Sequence, residues 1–172
     1  MLTKKILLAF LLCLPVCVVA QSKKQKQANK ETAAWRYEIE PVNVATQGTA
    51  VVKVWSFSSA PMLAAEQSKK NAIHGVVFKG IPAMDRVPGK KPLVADAAKE
   101  AQFADFFKGF FADGGEYMRF VSLTNDGAIE AGDVMKIDKK EYKVGVVVTI
   151  SYSDLRKYLE DKGVVTSLNS GF

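Results

Sequence analysis

The chain is poor in the residues that most often carry chemistry. Cys13 and Cys17 are its two cysteines, and His74 is its one histidine. Both cysteines precede residue 20, so the body of the chain has no disulfide framework, no thiol nucleophile and no thiolate metal site. A zinc ion would have to draw its other ligands from carboxylates around a single imidazole. A Ser–His–carboxylate triad would have to run through His74, beside Gly75, with no nucleophile-elbow motif in the chain. The P-loop pattern is absent, and Gly114-Gly115 follows a predicted helix instead of opening one. An EF-hand register that puts Gly127 at the turn starts at Ser122 and ends at Asp133, with strands predicted on both sides. The first ligand is wrong and the last is too short. No catalytic set, metal or cofactor is predicted.

Long apolar runs are equally scarce. The single one, residues 6–19, follows Lys4 and Lys5 and ends in Val18-Val19-Ala20 before Gln21. That is the pattern of a secretory signal peptide spanning residues 1–20, too short for a comfortable membrane span. Lipidation at Cys17 fits poorly, because Val16 stands where a lipobox needs a small residue. Removing the signal leaves a chain of single-domain size. The formal charge of +6 shrinks in the body, because Lys4, Lys5, Lys23, Lys24, Lys26 and Lys30 carry most of the excess. Residues 21–33 show no apolar periodicity and are expected to form a flexible basic leader before a single domain over 34–172. Lysines without interleaved aromatics do not predict nucleic-acid binding. Weak contact with an anionic envelope surface is the functional alternative to a plain spacer.

Trp35, Tyr37 and Ile39 alternate with Arg36, Glu38 and Glu40, the period of a half-buried strand that Pro41 ends or confines to an edge. A second strand is expected over 49–57. Pro61 then opens a helix, with Ser58 and Ser59 as N-cap candidates. Ala65, Ser68, Ala72, Gly75 and Val76 share one side of it, suited to close packing on a sheet. Glu66, Gln67, Lys70 and His74 lie opposite, so His74 is expected to be solvated and to titrate near its ordinary value of about 6.5. The helix ends at His74 with Gly75 as C-cap, or runs on to Lys79; both fit the sequence.

Pro82, Pro88, Gly89 and Pro92 make residues 80–97 a long loop, and Arg86, Lys90 and Lys91 give it a basic binding rim. A helix from Lys99 follows, in which Phe103, Phe106, Phe107, Phe110 and Phe111 keep to one face. That stripe is expected to be half of the core. Asp113-Gly114-Gly115 stops the helix, a strand is expected over 117–123 with a turn at Asn125-Asp126-Gly127, and another strand over 142–152. Ser153 caps a closing helix that turns Leu155, Tyr158 and Leu159 inward and ends at Gly163. The order β-β-α-α-β-β-α predicts an α+β domain, a mostly antiparallel sheet with helices on one face.

Trp35-Arg36-Tyr37-Glu38, Lys53-Val54-Trp55-Ser56, Asn71-Ala72-Ile73-His74-Gly75 and Ala112-Asp113-Gly114-Gly115, behind a leader ending in Ala-Gln, resemble small uncharacterised secreted proteins of Bacteroidota. The strand and Ala-rich helix around Ala64-Ala65 and Ala72 are also similar to modules of envelope lipoproteins and flagellar accessory proteins. Neither resemblance implies an activity or a functional residue. The expectation is an exported, non-enzymatic envelope protein that binds an envelope partner or self-associates. A carboxylate-dependent hydrolase, and a binder of anionic glycan or lipid headgroups through Lys90, Lys91 and the lysine leader, are the alternatives.

Overall fold

The computed structural model describes residues 23–43 and 46–167. The signal-peptide reading of residues 1–20, with Cys13 and Cys17, lies outside the described residues. The architecture is α+β. Five strands, β1 (Tyr37–Asn43), β2 (Ala50–Ser58), β3 (Val121–Leu123), β4 (Val134–Lys136) and β5 (Tyr142–Ile150), form one antiparallel sheet in the order β1-β2-β5-β3. β4 pairs with the start of β5 and β3 with its end, so both short strands share one edge.

Period-two alternation explains the layering. On β2, Ala50, Val52, Val54, Ser56 and Ser58 are buried on the face that meets α2 (Pro61–His74), and Val144, Val146, Val148 and Ile150 of β5 continue that surface. The opposite face is held by ion pairs: Lys53 reaches Asp133 and Lys143 reaches Glu38, at 2.8 and 2.7 Å. Trp55 is buried on that face because Gly145 lies under its ring. A Cβ there would come within 3.0 to 3.1 Å of three ring carbons.

Residues 23–32, expected to be a flexible leader, form the helix α1 (Lys23–Thr32), which packs on α2. Its lysines are exposed, and Ala28 and Thr32 supply the buried contacts. Glu31 anchors its end by accepting from the Ser59 N–H at 3.0 Å, the Ser58 and Ser59 hydroxyls and the Gln67 side-chain amide. Neither Ser58 nor Ser59 is the N-cap of α2; Ala60 holds that position.

α2 does not stop at Gly75, whose backbone is helical. It widens into a π turn over Gly75–Lys79, closed where the Gly80 N–H meets the Gly75 carbonyl at 2.7 Å. Residues 80–96 follow without helix or strand, though Ile81 bridges to Lys90 and Met84 to Val87. The phenylalanine segment is two helices, α3 (Ala97–Gln102) and α4 (Ala104–Phe110), broken at Phe103 by a non-helical backbone (φ −101°, ψ 21°). Phe107, Phe110 and Phe111 are core, while Phe103 and Phe106 are half-buried. Most of the strand expected over 117–123 is a 3-10 turn, Glu116–Phe120, because that spacing sinks Tyr117 and Phe120 together. Ser151, not Ser153, holds the N-cap position of α5 (Tyr152–Asp161) without a side-chain cap bond, and α5 buries Leu155 and Leu159 completely.

Candidate functional site

His74 ends α2 one residue before the π turn, and four elements converge on it. Trp35 leads from α1 into β1 with a left-handed backbone (φ 49°), uncommon for a bulky residue. That kink lays its indole flat on the imidazole, with ring centroids 3.7 Å apart and planes 16° apart. Tyr37, the first residue of β1, brings its hydroxyl to 2.6 Å from His74 Nδ1. Phe78 of the π turn and Phe111 just beyond α4 lie 4.9 and 5.8 Å away, centroid to centroid. Single π turns inside helices recur at functional sites.

The expected solvated His74 is corrected here: its exposure is 8%. The helical wheel grouped it with Gln67 and Lys70, and both are also buried, Gln67 at 1% and Lys70 at 9% exposure. Polar residues fill that side because α1 and Trp35 cover it. Burial, reinforced by the nearby Lys79 ammonium, lowers the imidazole to about 3, so at neutral pH it is uncharged.

The same geometry favours one tautomer. Burial pushes the Tyr37 phenol above its ordinary value, so it keeps its proton. His74 Nδ1 is its one hydrogen-bond partner among the described residues. With the hydroxyl as donor both groups are satisfied, and the ring proton sits on Nε2. Nε2 has no hydrogen-bond partner among the described residues and is not sealed from solvent.

His74 borders an open pocket of about 240 Å³ walled by Trp35, Phe78, Phe107 and Phe111, with Glu100 and Lys108 also lining it. A neutral imidazole whose Nδ1 is already occupied is a poor base at neutral pH. What the arrangement offers is an apolar slot lined by one imidazole, one carboxylate and one ammonium group. Among the described residues, no group of three His, Asp or Glu side chains could hold a metal, and no helix is long and apolar enough to cross a membrane.

The rim expected from the sequence is distributed differently. Arg86, Lys90 and Lys91 are all exposed, but the Ile81–Lys90 bridge folds the loop back on itself. Lys90 borders a separate cleft of about 310 Å³, against residues 46–52, with its ammonium 4.6 Å from the Tyr152 ring. Arg86 and Lys91 do not line that cleft. Sequence reasoning missed the His74 pocket. Its one legible signal was the spacing of Phe107 and Phe111.

Comparison with protein-family models, with curated proteins and with solved structures finds no match to this chain.

Proposed function

We propose that this is a non-catalytic binding protein, exported by residues 1–20, that takes an apolar group of an envelope partner into the pocket beside His74. The observation that carries the reading is the histidine's state. It is buried, joined at Nδ1 to the Tyr37 hydroxyl, kept uncharged at neutral pH by that burial, and set among aromatic walls. Enzymes poise a histidine base near the working pH, and here the shift runs far the other way. Burial and ring stacking instead suit a site that excludes water and orients what it binds.

A photo-crosslinking residue placed at Lys108, on the pocket, tests this in whole cells against the same residue placed at Lys157 on the exposed side of α5. The expected result is a discrete polypeptide adduct from position 108 and none from position 157. Identical adducts from both positions overturn the reading. So does a turnover activity abolished by His74→Phe in a protein that still folds. The export half is checked separately by intact mass, which should show a chain beginning at Gln21. A diacylglyceryl group on Cys17 contradicts it.

A further inference from the structure

Resting on that binding reading, we propose that the group the pocket accepts is a phenolic ring, the tyrosine side chain of a partner polypeptide. Size sets the first limit. Pockets for drug-sized ligands run from about 300 to 1,000 Å³, and this one, at about 240 Å³, suits a single ring. Aromatic anchors in such pockets dominate many protein interfaces.

Polar complementarity sets the second limit. His74, assigned as the Nε2–H tautomer, carries a donor, and Glu100, which lines the same pocket, carries an acceptor. A hydroxyl both accepts and donates, so it answers both groups at once. A phenylalanine ring would leave the imidazole N–H unpaired. An indole, which only donates, could answer Glu100 but would leave the imidazole N–H unpaired. A carboxylate could pair with Lys108 but would also meet Glu100. Aromatic walls attract cations, but the cation positions are already taken. Lys70 stands 5.9 Å from the ring centre of Trp35, one of the walls, and Lys108 lines the pocket. A neutral ring bearing one hydroxyl is what remains.

The test is a titration of the folded chain with p-cresol, 4-methylanisole and toluene, followed through the indole N–H resonance of Trp35 by NMR. Trp55, on the other face of the sheet, serves as the internal control. All three probes should move the Trp35 signal and leave Trp55 unmoved. p-Cresol should bind about fivefold to tenfold more tightly than 4-methylanisole, which accepts but cannot donate. That advantage should vanish in Glu100→Ala, a change at an exposed position. Equal affinities for the three probes overturn the phenol assignment and leave the pocket reading standing. If none of them moves Trp35, the pocket reading itself fails. N-acetyltyrosinamide, which carries the ring on a peptide backbone, should bind at least as well as p-cresol. Binding of p-cresol without it overturns the polypeptide source in favour of a free small phenol.

Discussion

The Glu31 carboxylate accepts the backbone N–H of Ser59 at 3.0 Å, joining the last turn of α1 to the corner that opens α2. A negative group at that place also suits the positive end of the α2 dipole. Burial raises the Glu31 carboxyl, but hydrogen bonds from Ser59, Gln27 and Ser58 outweigh it, and the net shift is downward. Stability from this contact is therefore present above the unfolded value of 4.5 and is lost as pH falls through the lower folded value. Glu31→Ala should cost about 1 kcal/mol, as the loss of a helix cap does. It should also speed trypsin cleavage at Lys26 and Lys30. Cleavage there at the wild-type rate would mean that α1 is not held by this contact.

Gly75 and Ile39 form the tightest backbone approach beside the pocket. A Cβ on Gly75 would lie 2.0 Å from Ile39 Cδ1 and 3.3 Å from a Tyr37 ring carbon. Alanine is the better helix former by about 1 kcal/mol, whereas overpacking costs about 1–3 kcal/mol. Ile39 Cδ1 ends a flexible side chain that can turn aside, so Gly75→Ala should change stability little in the wild type, the displaced methyl offsetting the gain in helix propensity. Ile39→Val removes the offending methyl, so Gly75→Ala should be stabilising in that background. Additive effects in urea denaturation of the double mutant would refute the contact.

Phe110 and Phe103 sit on the same stripe in different environments, at 3% exposure and half-buried at the helix break. Phe110→Ala should cost about 3–5 kcal/mol, and Phe103→Ala about 1 kcal/mol. Phe111, at one edge of the arc on the helical wheel, packs against Trp35, His74 and Tyr117. Its truncation should therefore rank with that of Phe110. Chemical denaturation of the three variants checks the order.

Local signals in the sequence reached the sheet and the core, and stopped where burial depends on a distant element. The β-branched runs around Val52 and Val54 and around Val146 and Val148 declare two strands, and the phenylalanine spacing declares a buried face. α1 has too few apolar residues to announce a packed helix. Ala28, Thr32 and the distant Glu31–Ser59 bond explain its placement. His74, Gln67 and Lys70 read as solvated for the same reason, since α1 and Trp35, which cover that side of α2, lie more than thirty residues before them. The break at Phe103 and the π turn at Gly75 replace regular helix where tertiary packing overrides periodicity.

Within the basic loop, Arg86 and Lys90 differ in backbone pairing. Lys90 exchanges both backbone hydrogen bonds with Ile81, at 2.8 Å each, and Arg86 stands in the exposed turn between Met84 and Val87. Cleavage requires local opening, so limited trypsin digestion should cut after Arg86 before Lys90. The reverse order would mean that the Ile81–Lys90 bridge is open in solution.

The uncharged state of His74 underlies the binding site, and it has a sign that experiment can read. An unfolded chain protonates this imidazole near 6.5, and the folded chain only near 3. Between those values the unfolded state binds more protons, so His74 makes stability fall as pH falls. The most direct measurement is an NMR titration of the His74 ring carbons and nitrogens from about pH 8 to about pH 4. The expected spectrum is that of a neutral ring throughout, with the proton on Nε2. A midpoint near 6.5 in the folded protein, or a proton on Nδ1 at neutral pH, would contradict it.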